Sequence, residues 1–523
     1  MPNQSTDALF QLIHSLEKGE KRNFKLYVKR NTDNDELKTV QLFNALDKMD
    51  RYDEESLLTR NPAIKKQQLS NIKAQLNKQL MASLRLLKSQ DNIAIQLHEQ
   101  LDFARILYDK GLYIQSLRTL DRIKENAQLN NQVSLMVEVL FLEKKIESLH
   151  ITRSIENKAD VLTAEADALN TRVLHITQLS NLALRLYSWY IKNGHARNQA
   201  DEIEVRRFFQ QHLSFDPENV DGFYEKLYLY QSYCWYAFIR QDYLMYYRYT
   251  YKWVDLFDRD ANMIKIETAL YIKGLHNLVS AHFDLQNYKK FDIDLKKFEE
   301  FAQTPLVVDN DNNRIQTFVY LHLAKLNKHF MQGTFTLGLQ LIPEIEAKLK
   351  EYALYLDRHR VLIFYYKIAS LYFGSGDNDR AIDYLNKIIK WKVDLRTDLQ
   401  CYARLLHLIA HYELGNNGIL EYLVKSVYRF MAKMENLSVV EEEIFKFIRS
   451  TFHLSYRKLK PEFEQLLKKL KSYESNRYET RAFAYLDIIS WLESKVRNEP
   501  VQKIIREKFL LKTEKENYKN SNL

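Results

Sequence analysis

The sequence predicts an all-α chain: antiparallel helix hairpins stacked into a right-handed superhelix, with helical regions at both ends. Three observations carry this. The 523 residues include only 11 Gly and 7 Pro, where average usage gives roughly 37 and 26, so few positions can interrupt a helix. Apolar residues make up 46% and recur at spacings of three and four, the period of one helix face. Two distant segments also place small residues at matching distances around a turn glycine. Single cores stop growing near ~250–300 residues, so a chain of this length favours a stack of repeated units. The division predicted is a basic helical cap over 1–92, helical repeats over 93–440 and a basic helical C-terminal region over 441–523.

The cap reads as short helices at Ala8–Leu16, Lys21–Lys29, Leu37–Met49 and Glu54–Leu58, with breaks at Asn31–Asp35 and Asn61-Pro62, since proline restricts the residue before it. A long helix over Lys65–Lys88 follows, with Leu69, Ile72, Leu76, Leu80, Leu84 and Leu87 on one stripe and hence an apolar face. Ser56–Gln90 holds no Asp or Glu, yet carries Lys65, Lys66, Lys73, Lys78 and Arg85 among its bases. On a helical projection these charges scatter around the helix and form no stripe. A second basic cluster comprises Arg457, Lys458, Lys460, Lys468, Lys469 and Lys471. The formal charge is +9 overall, with +3 in residues 1–100, +8 in 445–523 and −2 between. Basic ends of this kind suit a phosphate backbone, an acidic protein surface, an anionic membrane or solvent.

In Phe103–Ile123, Ala104 is followed by Gly111, Tyr113, Ser116, Leu120 and Ile123. Tyr365, Ile368, Ala369, Tyr372, Gly376, Ala381, Leu385 and Ile388 repeat the scheme. A small residue in each helix permits close approach, Gly closes the turn, and larger residues fill the groove to the next hairpin. Both segments resemble tetratricopeptide repeats, whose members are mostly protein-interaction scaffolds. Weaker likenesses fall at His282–Phe291, Leu326–Ile345 around Gly333 and Leu406–Tyr422 around Gly415. There Phe291 and Leu420 occupy small-residue positions, which departs from the pattern. The whole chain also resembles bacterial helical-repeat proteins of about this size, notably over Leu406–Phe430, a likeness that implies no activity. Loops are predicted at His150–Glu156, Asn193–Gln199, Leu213–Asp221, Gln303–Asn313 and Lys392–Thr397. Further helices after Ser438 are expected to break at Lys460-Pro461 and Glu499-Pro500, before a tail that frays from Lys512.

Tyr233–Phe257 carries eleven aromatics in 25 residues, more than one buried face holds. Large rings fill gaps between hairpins, but some are candidates to line the concave groove. There Tyr243, Tyr246, Tyr247, Arg248, Tyr251 and Trp253 would anchor a peptide, as aromatics and Arg do at binding hot spots. Bases could stack on the same side chains.

Catalytic motifs are absent from the sequence. There is no GxxxxGK[ST] loop and no GxSxG elbow. Asp309, Asp311 and Asn313 open like a calcium loop, but Arg314 and Tyr320 replace the required Gly and Glu. His407 and His411 are spaced for a metal, yet Leu408 stands where a zinc protease has Glu. Neither a cofactor nor a metal is expected. Met1–Leu16 has no signal-peptide pattern, and the longest apolar run, Tyr233–Ile239, is far short of the ~20 residues that span a bilayer. Cys234 and Cys401 lie in apolar helical contexts and suit a reducing cytoplasm. The function these features point to is a non-enzymatic cytoplasmic scaffold for a protein or peptide partner. The alternative is a nucleic-acid- or ribosome-associated factor using the basic ends, through Lys65, Lys66, Lys73, Lys78, Arg85, Lys458, Lys468 and Lys469.

Overall fold

The computed structural model describes residues 7–31, 38–150, 157–213, 220–391, 396–434, 437–454, 456–474, 476, 478–479 and 487–521. These residues form helices and short connections, with no strand among them. The chain divides into two compact units, residues 1–170 and 171–523.

In the first unit, helices Ala8–Ser15, Lys18–Asn31, Lys38–Asp47 and Glu54–Arg60 pack around the long helix Lys66–Lys88. Its stripe is buried at Leu69, Ile72, Leu76 and Leu80, against Ile13, Phe24, Leu42, Phe43 and Leu46. The second predicted helix runs longer than its apolar pattern and includes Asn31; the rest of the first predicted break lies outside the described residues. A separate core joins the helices Ile93–Asp109, Tyr113–Leu129 and Val133–Leu149. Here the predicted small-residue contact is direct: the Ser116 hydroxyl donates to the Ala104 carbonyl at 2.7 Å, and both residues are fully buried. A larger residue at either position would hold the two helices apart.

The second unit is a run of hairpins: Phe223–Ile239 with Tyr243–Asp258, Thr268–Asp284 with Tyr288–Ala302, Arg358–Ser375 with Asn378–Ile389, and Thr397–Glu413 with Asn417–Lys433. Between the second and third, Asp311–Gln332 is followed by the shorter helices Phe335–Gly338 and Ile342–Glu351. Second helices pack on the first helix of the next hairpin, and neighbouring first helices touch one another. This is the α-solenoid arrangement that the spacings predict.

One turn recurs throughout the chain. The residue before the N-cap of each second helix takes a left-handed conformation: Gly111, Gln241, Gln286, Gly376 and Gly415, at φ between 51° and 93°. Four residues after the N-cap stands a buried side chain: Ser116, Tyr246, Phe291, Ala381 and Leu420 respectively. The backbone rule is therefore constant while its side chains vary.

Three local expectations are corrected. The predicted loop Gln303–Asn313 contains the short helix Pro305–Val308, and its last residues form the first turn of Asp311–Gln332. The Asn310 side chain caps that turn, accepting from the Asn313 N–H at 3.0 Å. Pro461 does not break its helix, which runs from Tyr456 to Lys471. It forfeits one hydrogen bond, but the buried stripe Phe463, Leu466 and Leu470 holds the segment helical. The tail after Lys512 continues as helix to Ser521, within Val501–Ser521, which Ile504 and Ile505 bury against the unit. Asn193–Gln199 and Glu499-Pro500 separate helices as predicted. Most residues of the predicted loops at 150–156, 213–221 and 392–397 lie outside the described residues.

Early and late parts of the second unit also meet. The Arg396 guanidinium lies 5.0 Å from the centre of the Tyr190 ring. Arg396 is bidentate with Asp398 at 2.8 and 2.9 Å, both buried. Gly194 is left-handed at φ 74°, and a Cβ there would sit 3.2 Å from the Asp398 carboxylate, so both backbone and approach favour glycine.

Candidate binding surfaces

The aromatic segment divides between core and surface. Tyr246 and Trp253 are 6% and 3% exposed and belong to the core, which corrects their assignment to a ligand-facing surface. The reason is position: Tyr243–Asp258 is a second helix, so these rings point at the first helices that it covers. Tyr243 is half-buried, with its phenol pushed well above its ordinary value by burial. Arg248 is exposed. Tyr247 and Tyr251 line a groove with Ile293 and Lys290 of the next second helix, floored by Leu278 and His282. Tyr251 and Ile293 expose 53% and 59% of their surface.

Polar pairs fix the walls of this groove. His282 Nε2 is 2.9 Å from the Asp294 carboxylate, and Lys297 reaches Asp258 at 2.6 Å. Tyr271 donates to the same Asp258 at 2.9 Å. Lys290 Nζ donates to the Tyr247 hydroxyl at 3.3 Å. The apolar floor and aromatic wall therefore sit on held side chains, with charge at the rim.

The basic clusters are less free in three dimensions than along the chain. Lys65, Lys66 and Lys78 are exposed. Lys73, however, is half-buried, bonding Asp7 at 2.7 Å and the Tyr52 hydroxyl at 2.5 Å, so it holds the cap together. Arg85 lies 3.9 Å from Glu99. In the C-terminal cluster Lys458 and Lys468 are exposed, Lys469 pairs with Glu443 at 2.7 Å and Lys471 with Glu493 at 2.7 Å. Hydrogen bonds from Lys469 and Lys446 hold the Glu443 carboxyl below its ordinary value. The side chain of Arg457 lies outside the described residues.

A third surface was not evident from the sequence. Lys273 and His276 of one first helix face Gln316 and Tyr320 of the next and Arg360 and Lys367 of the one after. The His276 and Tyr320 rings stack with centres 4.1 Å apart. Lys273 Nζ lies 4.8 Å and the Arg360 guanidinium 5.9 Å from the Tyr320 ring centre. Burial alone would raise the Tyr320 phenol, but Lys273 and Arg360 bring it below its ordinary value. Burial, then Lys273, Arg360 and Lys367, push His276 well below its ordinary value, so its ring is neutral. Lys367 donates to Asn327 at 2.7 Å, and burial lowers its ammonium to about 8. The opposing Asp284 carboxyl is raised by burial to about 7. The i, i+3 pair Lys273/His276 and the i, i+7 pair Arg360/Lys367 were the signal available in the sequence.

His407 and His411 stand with their Nε2 atoms 3.3 Å apart, and burial lowers His407 to about 4. Among the described residues no three His, Cys, Asp or Glu side chains gather as metal ligands. Asp311 pairs with Arg314. Cys234 and Cys401 are both buried thiols. Among the described residues no helix is long and apolar enough to cross a membrane.

A family model described as tetratricopeptide repeat matches residues 363–392, within the hairpin Arg358–Ile389. No curated protein and no solved structure matches the chain. With the recurring hairpin turn, the match identifies a tetratricopeptide-like helical-repeat protein. Such repeats are in general protein-interaction scaffolds.

Proposed function

We propose that the chain is a non-enzymatic cytoplasmic scaffold whose partner is a protein segment seated in the groove of Tyr247, Tyr251, Lys290 and Ile293. The observation that carries this reading is the pair Tyr251 and Ile293, large side chains 53% and 59% exposed that line one groove. Contiguous exposed apolar surface with a polar rim marks interaction sites, and Tyr supplies contact area at low entropic cost. A short segment presenting one apolar side chain to the floor and polar groups to Lys290 and Asp255 fits these walls. The cytoplasmic assignment rests on the two buried thiols. No observation favours nucleic acid, because Lys73 and Lys469 are committed to carboxylates within the fold.

The test is affinity capture from native cells with nuclease and moderate salt, comparing the natural chain with a Tyr251→Ala/Ile293→Asp variant. Both positions are exposed, so each change moves stability by about 0.5 kcal/mol or less. A partner captured by the natural chain and lost by the variant supports the groove. Retention of the same partner by the folded variant overturns it.

A further inference from the structure

We propose that the face of successive helices bearing Lys273, His276, Tyr320 and Arg360 is a binding site for an oxyanion. The proposal is independent of the groove at Tyr251: it concerns other residues, although Lys273 and His276 share the helix Thr268–Asp284 with the groove's Leu278 and His282.

The first ground is charge. Lys273 and Arg360 approach the same Tyr320 ring from different helices, at 4.8 and 5.9 Å from its centre. Arg360 pairs with Asp357 through Nε at 3.3 Å, which leaves its other nitrogens to face elsewhere. Among the described residues no carboxylate lies within ion-pair distance of Lys273, whose polar contact is the Tyr320 phenol. Lys367 adds a third cation, held by Asn327. Arg360 has Asp357 and Lys367 has Asp284 nearby, so of the three cations Lys273 is the one with no adjacent carboxylate among the described residues.

The second ground is unused hydrogen-bonding capacity. His276 Nδ1 is buried without a partner, as are Gln316 Oε1 and Asp284 Oδ2. Buried polar atoms are satisfied in the great majority of cases, and His276 Nδ1, which can carry a donating N–H, is the one of these that an oxyanion would satisfy. The third ground is access: Lys273, His276, Gln316 and Arg360 each keep part of their surface exposed. An ammonium, a guanidinium, a phenol hydroxyl and an imidazole N–H together offer the donors that a carboxylate or phosphate accepts. Asp284 faces Lys367, and burial raises its carboxyl to about 7.

The shared chemistry admits two sources, an acidic side chain on a bound protein segment or free inorganic phosphate. Thermal unfolding of the full chain separates them, at fixed pH and matched ionic strength, in chloride, in phosphate, and in chloride with hexaglutamate peptide. The expected result is a Tm rise of about 2 °C or more with at least one of the two oxyanions. Lys273→Met and Arg360→Gln should each abolish that rise, whereas Lys433→Met, at an exposed position ending the helix Asn417–Lys433, should keep it. Lys273→Met should also unfold no earlier than the natural chain in chloride, because it removes an uncompensated cation. A rise with phosphate alone assigns a free anion, and a rise with the peptide alone assigns an acidic segment. No rise with either, or a rise that survives in folded Lys273→Met and Arg360→Gln, overturns the proposal.

Discussion

The hairpins Arg358–Ile389 and Thr268–Ala302 share one backbone and differ in the residues that build it. In each, the turn residue is left-handed, Gly376 at 93° and Gln286 at 51°. The next residue, Asp377 or Asn287, caps the second helix by accepting from the backbone three residues on. Its own N–H closes back on the first helix, to Tyr372 or His282, at 2.9 Å in both. Four residues after the cap, one hairpin buries Ala381 and the other Phe291. Turn and cap therefore define the repeat, and the small-residue pattern is one of several ways to pack it.

Exchanging the distinguishing residues tests that statement. Phe291→Ala should have the largest effect, about 3–5 kcal/mol lost, because a fully enclosed ring leaves a cavity. Denaturant unfolding followed by circular dichroism would show it; a loss under about 1 kcal/mol would mean that the two hairpins interchange freely at this position. The reverse change, Ala381→Phe, should cost about 1–3 kcal/mol by overpacking a site with no exposed surface. The same measurement decides it, and an unchanged midpoint would contradict the close approach. Smaller still is the turn. Gly376→Gln should cost about 1–2 kcal/mol for a side chain in the left-handed region, since a Cβ there meets no atom within 4 Å. Gln286→Gly should return about 1 kcal/mol or less, read as a raised midpoint; a loss would show that the Gln286 side chain is a packing element.

The same comparison explains what the sequence disclosed. Ala104, Gly111 and Ser116, and again Ala369, Gly376 and Ala381, spell the rule in the residues that satisfy it at least cost, so those hairpins were legible. Gln241 and Gln286 hold the turn at positions where a reader looks for Gly, and Tyr246 and Phe291 fill places expected to be small. The aromatic segment was legible as a dense element, but its division was not. Whether Tyr251 faces solvent and Trp253 the core depends on which neighbours cover the helix. Local charge misled for a related reason: Lys73 finds its carboxylate at Asp7 and Lys469 at Glu443, outside the basic segments in which they lie. The cationic cluster draws Lys273, Tyr320 and Arg360 from three helices, and no local window contains them.

The contact of Arg396 with Tyr190, and of Gly194 with Asp398, bears on how this chain comes apart. An open stack of repeats contacts only its neighbours, so it frays from its ends and melts piecemeal. Here a clasp joins the start of the second unit to its later helices, and the interval between them becomes one closed loop. The entropic cost of such closure grows only slowly with length, and once met it ties every enclosed hairpin to the same opening event. Amides from Phe223–Ile239 through Arg358–Ser375 should therefore exchange with solvent as one cooperative block, whereas those of the C-terminal Val501–Ser521 helix, beyond the clasp, exchange sooner.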